Sequence, residues 1–203
     1  MSIAGSSAIV LAGGRSSRFG AEKMTATLEG VPLLHLALRA VAQACDEVLV
    51  VGAPSGLPVE LPGDSAHSPM VILDVDPYEG PLVALVHAAG FATRNRLLLV
   101  GGDMPRLQPA ILRRVLAWGE GSDAACLVVD GWTQPFPMGL DRAAAIEHGA
   151  RLVDAGERSL RRLISSLGVE LVPEEDWRSL DPGALSLRDI DRPEDLDPAT
   201  NET

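Results

Sequence analysis

A loop close to the N-terminus combines glycines with basic side chains. Residues 11–23, with the sequence LAGGRSSRFGAEK, hold three glycines and three cations. Glycine lets the backbone approach a ligand closely, and successive backbone N–H groups in such a loop can line a concave anion site. Arg18 could hold phosphate oxygens as a fork, whereas Lys23 would act as a point charge. The loop therefore predicts a phosphate site, although its composition alone also fits a plain surface loop.

Carboxylates follow two apolar runs of the chain. Asp103 comes after the apolar residues 97–100, within the segment 101–105, GGDMP. Asp74 follows the apolar residues 71–73. Magnesium prefers hard oxygen ligands and is commonly held by one or two carboxylates together with substrate phosphates. Asp103 is therefore predicted to be a metal ligand, and the alternative is an aspartate that caps a turn.

Strand and helix patterns alternate through most of the chain. Short apolar runs predict strands, and apolar residues at helical spacing predict helices. The strands are expected at 8–11, 48–51, 97–100, 124–129 and 136–140, apolar structure resumes at 71–73, and the helices are expected at 31–44, 82–91 and 109–118. This alternation predicts an α/β fold, a Rossmann-like three-layer α/β/α sandwich with a mostly parallel, mixed sheet. Ligands of such sheets bind at the carboxyl ends of the strands, where the loops 12–23, 74–81 and 101–106 are expected.

Length and composition narrow the class of protein. The 203 residues suit one domain, expected at 1–197 with a polar tail at 198–203. A net charge of −11 without a long basic stretch argues against binding to nucleic acid or to an anionic membrane. No run of 18 apolar residues indicates a membrane span. Cys45 and Cys126 are expected to be small core residues in a reducing compartment, so a cytoplasmic location is expected.

Three segments resemble one family of enzymes. The loop 11–23 resembles the signature of the GT-A-like nucleotidyltransferases and is most similar to that of the molybdenum cofactor guanylyltransferases, the MobA family. The segment 101–105 resembles the family's Gly-Asp-x-Pro motif, and residues 155–158, AGER, narrow the similarity to the guanylyltransferases. The resemblance extends from the first strand to residue 196. It implies a magnesium-dependent enzyme, with Mn²⁺ as the alternative ion, that transfers GMP from GTP to the phosphate of molybdopterin or Mo-molybdopterin and releases pyrophosphate.

The resemblance also assigns roles within the N-terminal loop. Leu11, Ala12 and Gly13 would touch the guanine. Gly14 would belong to the loop that wraps the nucleotide, and Lys23 would bind its phosphates. Family members that use CTP tend to have alanine at the third of these positions, so Gly13 favours GTP.

Charge stabilisation is the mechanism that the resemblance implies. Asp103 would hold the metal, while Lys23 and Arg18 would neutralise charge that grows on the leaving pyrophosphate. The acceptor is a phosphate monoester, already an anion near pH 7, so no general base is required. Asp191 would be a second metal ligand or the N-cap of a helix that begins near Pro193, and the two roles are compatible.

The chain departs from the family pattern at several polar positions. Asp74 fits best the family aspartate that contacts the nucleotide, with Asp76 as its competitor, because the spacing differs by one residue. Asp189 and Asp191 stand where the family has asparagine, which changes a neutral amide into a charge. Val51 stands where the family often has a nucleotide-contacting asparagine, and valine cannot replace that hydrogen bond.

The family resemblance also suggests residues that bind the acceptor, and it leaves alternative functions open. The three arginines Arg158, Arg161 and Arg162 could receive the acceptor phosphate, or could belong to a solvated helix start, and Gln134 is expected to face the acceptor. Cofactor-handling proteins are further candidate partners. The alternative functions are a molybdopterin cytidylyltransferase, a sugar-phosphate nucleotidyltransferase and a non-catalytic GTP-binding accessory protein.

Overall fold

A computed structural model describes most of the chain, namely residues 5–13, 23–57, 59–61, 68–74 and 79–196. Gly14, Arg18, Asp76 and the expected tail at 198–203 lie outside these residues. The described part forms one large β-sheet, a small separate one and the helices that cover the large sheet.

A seven-stranded sheet forms the centre of the fold. In chain order the strands are β1 (Ser6–Leu11), β2 (Thr27–Leu28), β3 (Val31–Pro32), β4 (Glu47–Gly52), β5 (Met70–Leu73), β6 (Arg96–Gly101), β7 (Ala124–Val129), β8 (Trp132–Asp141) and β9 (Val169–Val172). The large sheet has the spatial order β5-β4-β1-β6-β8-β7-β9, while β2 and β3 pair only with each other. Neighbours in the large sheet are parallel except where β8 takes part. The sheet is therefore mixed but mostly parallel.

Helices cover both faces of this sheet. They are α1 (Leu33–Val41), α2 (Pro81–Phe91), α3 (Pro109–Leu116), α4 (Arg142–Asp154), α5 (Leu160–Ile164) and α6 (Glu174–Trp177). Apart from Leu33, which packs with Leu28 and Ile190, the buried apolar residues of α1 and α3 belong to one core, and those of α2, α4 and α5 belong to the other. The predicted three-layer α/β/α sandwich is confirmed. None of the helices among the described residues is long and apolar enough to cross a membrane.

The central strands are apolar on both sides because both sides are covered. In β1, Ala8 and Val10 pack into the core with α1 and α3, whereas Ile9 packs into the core with α2. Successive strand residues point to opposite faces, so a doubly covered strand is a continuous apolar run. Fully burying one such Val, Ile or Leu side chain contributes about 1.5–3 kcal/mol to the free energy of unfolding. The runs that predicted the strands are thus the residues that hold the two cores together.

The structure differs from the sequence prediction mainly at element ends. The helix expected at 31–44 begins at Leu33, because residues 31–32 pair with 27–28 in the small sheet, and it ends at Val41. The strand expected at 136–140 begins earlier, at Trp132, because it forms a hairpin with β7. The helix α4 and the edge strand β9 were not predicted.

Candidate active site

The ends of three parallel strands meet at one edge of the sheet. The backbone N–H of Ala12 donates to the carbonyl oxygen of Val51 (2.8 Å), which joins the end of β1 to β4. The backbone N–H of Gly102 donates to the carbonyl oxygen of Leu11 (2.9 Å), which joins β1 to β6. The first loop of the chain and the segment that carries Asp103 therefore leave the sheet side by side, as the rule for parallel sheets predicts.

Asp74 lies next to Gly13 at this edge. Its backbone N–H donates to the carbonyl oxygen of Gly52 (3.0 Å), just beyond the pairing of β4 with β5. A methyl group placed on Gly13 would come 3.6 Å from Oδ2 of Asp74. Burial raises the pKa of the Asp74 carboxyl above its usual range; His87 opposes this rise and Glu79 adds to it. Asp74 thus faces the start of the glycine-rich loop.

Lys23 lies between two carboxylates. Its Nζ atom is 2.8 Å from Oδ2 of Asp103 and 2.6 Å from Oδ1 of Asp191, and the residue is only 8% exposed. Burial opposes its charge, but the two carboxylates outweigh burial and raise the pKa of Lys23 above its usual range. The ammonium group is therefore protonated at physiological pH. Lys23 is the only lysine of the chain, so every other basic side chain apart from histidine is an arginine.

A third aspartate joins this group and completes what we call the carboxylate cluster: Asp103, Asp189 and Asp191. Each offers one carboxylate oxygen, and these oxygens lie within 4.8 Å of one another. Burial raises the pKa of Asp189, and the negative charges of Asp103 and Asp191 raise it further. Three carboxylates around one ammonium group leave the cluster net negative. Hard oxygen donors at this spacing suit a divalent cation such as Mg²⁺ or Mn²⁺.

The turn after β6 brings Asp103 back toward the sheet. A methyl group on Gly101 would overlap with Oδ1 of Asp103, so the carboxylate folds directly over the glycine. The backbone N–H of Gly101 also donates to Sδ of Met104 at 3.4 Å. A side chain at position 101 would therefore displace the Asp103 carboxylate from its place over β6.

A backbone hydrogen bond joins the C-terminal segment to this turn. The N–H of Ile190 donates to the carbonyl oxygen of Asp103 (3.0 Å), and the Ile190 side chain is buried. In an extended segment the residues on either side of a buried one point to the same side, which here is the side of the cluster. The carboxylate of Asp195 accepts hydrogen bonds from the N–H groups of Asp191 (2.9 Å) and Arg192 (2.8 Å). Asp195 therefore caps this turn, and the side chain of Asp191 contacts Lys23.

A buried polar pair fixes the path of the chain before the cluster. Asp181 is 3% exposed, and its carboxylate accepts hydrogen bonds from the N–H groups of Leu185 (3.0 Å) and Ser186 (2.7 Å). The hydroxyl of Ser186 accepts a hydrogen bond from the N–H of Gln108 (2.8 Å), immediately before α3. We call this pair, Asp181 with Ser186, the clamp. It ties the segment that leads to Asp189 and Asp191 to a helix packed on the sheet.

Loosening the clamp is expected to affect both stability and metal binding. Asp181→Asn or Ser186→Ala leaves buried N–H groups without an acceptor, which costs about 1–3 kcal/mol in the free energy of unfolding. The same changes should weaken Mn²⁺ binding because Asp189 and Asp191 lose their fixed position. Urea denaturation and calorimetric titration with Mn²⁺ measure the two effects. Ser165→Ala, on an exposed helix end, is the control. Variants that lose stability yet keep full Mn²⁺ affinity would show that the clamp does not position the cluster.

The structure also places two further residues that the sequence singled out, Val51 and Arg158. Val51 is 1% exposed and packs into the core that also holds α2, so its side chain cannot reach a nucleotide. Arg158 donates to the carbonyl oxygens of Val153 (3.2 Å) and Glu157 (2.9 Å), at the end of α4. Its main chain also lies against Gly80 at the start of α2, so the AGER segment meets the loop that follows Asp74.

The sequence prediction did not include Asp189 among the metal ligands. It was noted only as a departure from an asparagine of the related family, although the Asp-Ile-Asp pattern carries the signal. Alternate residues of an extended segment share a side, so a ligand at Asp191 brings Asp189 with it when Ile190 is buried. Arg18 and Gly14 lie outside the described residues, so their roles remain predictions.

Replacing Asp189 with asparagine is expected to have opposite effects on stability and on metal binding. Asp189→Asn removes one of three like charges, so the metal-free protein should unfold at a higher urea concentration. The affinity for Mn²⁺ should fall at least ~10-fold, because a charged ligand of the cluster is lost. Glu120→Asn, a change of an exposed carboxylate in the turn before β7, is the control. If Asp189→Asn lowered stability or left Mn²⁺ binding intact, Asp189 would have no place in the metal site.

The fold and the carboxylate cluster at its carboxyl edge define a protein of the nucleotidyltransferase class. Three comparisons agree with this class. The chain is 31% identical, over 94% of its length and 91% of the relative, to a protein of Chloroflexus aggregans named "Probable molybdenum cofactor guanylyltransferase". It is 36% identical, over 78% of each chain, to the molybdenum cofactor guanylyltransferase of Xanthomonas euvesicatoria. Its fold matches molybdopterin-guanine dinucleotide biosynthesis protein A of Archaeoglobus fulgidus with a TM-score of 0.76, at 23% identity over 97% and 96% of the two chains.

The family follows from the first of these observations together with a match to a family model. Residues 8–174 match the model of the MobA-like NTP transferase domain. The chain belongs to this family, and the resemblance seen in its motifs is confirmed. The matched residues include the last four residues of β1, the Asp103 turn and the AGER segment, but the family model ends before Asp189 and Asp191.

Proposed function

We propose that the chain transfers GMP from GTP to the phosphate of molybdopterin, or of its molybdenum-loaded form, and releases pyrophosphate. Family membership and the names of its relatives support the reaction class and the two substrates. The observation that carries the proposal is the position of Lys23. Its ammonium group contacts Asp103 and Asp191 at the edge where the glycine-rich loop leaves β1. A triphosphate bound by that loop would therefore meet a cation and a candidate metal site together.

The carboxylate cluster fits a divalent cation. Asp103, Asp189 and Asp191 supply oxygen ligands within 4.8 Å of one another, which are the donors that Mg²⁺ and Mn²⁺ prefer. A cation held there would neutralise negative charge on the phosphates of GTP. The cluster is net negative even with Lys23 present, so it would repel a triphosphate unless such an ion were bound. The overall charge of −11 adds to the need for a local cation.

The chemical step needs positioning and charge stabilisation from the protein. An oxygen of the acceptor phosphate attacks the α-phosphorus of GTP in line, and the bond from that phosphorus to the bridging oxygen breaks. Pyrophosphate leaves with the electron pair. Because the acceptor oxygen is already anionic near pH 7, no side chain has to remove a proton. Lys23 would turn from its carboxylates to the leaving phosphates, and Arg18 would add a second cation, as the sequence predicts.

Recognition of guanine is assigned to the end of β1. Gly13 is exposed, lies beside Asp74 and carries no side chain that would fill the space next to it. The backbone of Leu11 and Ala12 is held by β4 and β6, so the edge that meets the base is rigid. A fixed rim of backbone N–H and C=O groups is suited to read a base by its hydrogen-bonding edge. Asp74 would contact the nucleotide from the neighbouring strand.

A pyrophosphate-release assay tests the proposed reaction. Purified protein is incubated with Mg²⁺, molybdopterin and GTP, CTP, UTP or ATP in parallel, and reactions without molybdopterin are the control. We expect acceptor-dependent release of pyrophosphate with GTP and far slower release with the other nucleotides. Preference for CTP would make the chain a cytidylyltransferase. Binding of GTP without release of pyrophosphate would make it an accessory protein.

The proposal also includes the cellular location of the protein, the extent of its domain and its partner proteins. Cys45 and Cys126 are buried free thiols whose pKa values burial raises to about 12, which suits a reducing compartment such as the cytoplasm. Residues 1–197 would form one catalytic domain, because the cluster combines residues from near both ends of the chain. Cofactor-handling proteins would deliver the acceptor or receive the product.

A further inference from the structure

One large aromatic side chain of the described residues is open to solvent to an unusual degree. Trp132 is 72% exposed, whereas the other two tryptophans, Trp118 and Trp177, are 7% and 0% exposed. The whole chain has only three tryptophans, three phenylalanines and one tyrosine. Leaving a tryptophan in water forgoes one of the largest stabilising contributions that a single side chain can make. The exposed Trp132 is therefore a candidate for contact with a ligand.

Trp132 lies beyond the same sheet edge as the carboxylate cluster. β7 and β6 run in the same direction, since both are antiparallel to β8, so the β7–β8 hairpin projects from the carboxyl edge. Leu99 of β6 lies opposite Met138 of β8. Cys126 of β7 also lies opposite Met138, and Val129, the partner of Trp132, follows three residues later. At about 3.3 Å per residue, β6 ends roughly 7 Å past this level and the β7–β8 pairing ends roughly 10 Å past it. The tip of the hairpin, with Trp132, thus lies just beyond the end of β6 at the carboxyl edge.

The hairpin holds Trp132 in a fixed position. Trp132 pairs with Val129 across the two strands, and the tight turn between them has positive φ angles at Asp130 (49°) and Gly131 (78°). Two successive positive φ angles in a two-residue loop match the turn geometry that β-hairpins favour. The N–H of Asp130 also donates to the carboxylate of Glu174 in α6 (2.9 Å). The hairpin that carries the indole is therefore rigid, and the position of Trp132 at its tip is fixed.

Two arginines contact the main chain at the β7–β8 hairpin and at the start of α2. Nη1 of Arg161, in α5, is 3.4 Å from the carbonyl oxygen of Thr133, the residue next to Trp132. Three residues earlier, Arg158 packs against Gly80 at the start of α2. The short segment between these two contacts spans from the hairpin to the start of α2. Arg161 thus contacts the main chain of the hairpin next to Trp132, from the side of the sheet that α5 covers.

We propose that Trp132 binds the acceptor by stacking on its planar fused-ring heterocycle. This inference rests on the proposed function, because it takes the acceptor to be a pterin that carries a phosphate. An indole face offers a large, rigid surface for a flat ring, and at the tip of the hairpin it is open to solvent at the edge where the carboxylate cluster lies. Trp132 would set the specificity for the acceptor and would leave GTP binding to the β1 loop and the cluster.

Kinetic comparison of Trp132→Ala and Trp132→Phe tests this assignment. At saturating GTP and Mg²⁺, Trp132→Ala should raise the KM for molybdopterin about tenfold or more, while the KM for GTP stays unchanged. Trp132→Phe keeps a stacking face and should restore most of the affinity. Phe91→Ala is the matched control, because Phe91 is 50% exposed but lies at the far end of α2, on the side of the sheet away from the cluster. An unchanged KM for molybdopterin in Trp132→Ala would overturn the proposal.

A binding measurement separates this inference from the proposed reaction. Titration of the nucleotide-free protein with 6-hydroxymethylpterin should quench tryptophan fluorescence, and the quenching should be lost in Trp132→Phe because the two remaining tryptophans are buried. If the wild type releases no pyrophosphate but shows this quenching, the proposed transfer reaction fails and the stacking site stands. If the wild type is active and the quenching is the same in Trp132→Phe, the stacking site is refuted.

Discussion

Asp103→Asn is expected to lower acceptor-dependent pyrophosphate release from GTP by about 10²–10³-fold. The change keeps the shape of the side chain but removes the charge that faces Lys23 at 2.8 Å. Losing one preorganised group that stabilises transition-state charge costs about 2.7–4 kcal/mol in the barrier, and Asp103 would act in this way through the cation it holds. Initial rates at saturating GTP and acceptor, with Mg²⁺ varied, measure the loss.

The variant should remain folded, which makes the kinetic result interpretable. The backbone bond from Ile190 to Asp103 does not involve the side chain, and asparagine fits over Gly101 as aspartate does. Glu120→Gln, an isosteric loss of a carboxylate in the turn before β7, is the control and should keep full activity. High Mg²⁺ should recover part of the lost rate, because the remaining aspartates still form a weaker site. Full turnover in Asp103→Asn at ordinary Mg²⁺ would refute the metal assignment.

Lys23→Met is expected to lower turnover by a similar factor but to strengthen metal binding in the absence of nucleotide. Turnover falls because a cation that would face the leaving phosphates is lost. Metal affinity rises because the ammonium group that contacts Asp103 and Asp191 no longer competes with a divalent cation. Even at an effective dielectric constant of 20, a unit charge at ~4 Å contributes about 4 kcal/mol, so at least a tenfold gain in Mn²⁺ affinity is expected.

Two controls sharpen the result for Lys23. Arg151→Met removes one positive charge from the exposed surface of α4 and should change neither turnover nor Mn²⁺ affinity. Lys23→Arg keeps the charge but not the compact ammonium group, so it should recover only part of the turnover. Calorimetric titration with Mn²⁺, without nucleotide, measures the affinities. If Lys23→Met bound Mn²⁺ more weakly than the wild type, Lys23 and the metal would not share the cluster.

The central strands could be predicted from the sequence because burial on both faces dictates their composition. The apolar runs in β1, β4 and β6 mark them at once, since no other element needs so many consecutive Val, Leu and Ile residues. Helix α4 was missed for a tertiary reason. It contains Gly149, which sequence rules count against a helix, but a methyl group there would overlap with Val86 of α2. The close packing of two helices explains this glycine, and no local pattern reveals it.

Lys23, Asp103 and Asp191 could be named as site residues from the sequence, but local patterns could not show that their side chains contact one another. Lys23 and Asp191 are 168 residues apart and contact each other only because the C-terminal segment returns to the Asp103 turn. That return depends on the Ile190 backbone bond and on Asp181, a buried carboxylate that carries no motif. The inclusion of Asp189 follows from the same geometry. Long-range backbone contacts decide which carboxylates lie together, and the one short-range signal is the Asp-Ile-Asp alternation that puts Asp189 on the same side as Asp191.

The most direct test is a crystal structure with Mn²⁺ and a non-hydrolysable GTP analogue, in which anomalous scattering locates the metal. We expect one Mn²⁺ peak in contact with oxygens of Asp103, Asp189 and Asp191 and with a phosphate oxygen of the nucleotide. We also expect that Nζ of Lys23 has moved from these carboxylates to the phosphates, and that the guanine lies against Gly13. A manganese ion bound elsewhere, or a triphosphate bound while Lys23 still bridges Asp103 and Asp191 with no metal between them, would contradict the proposed function.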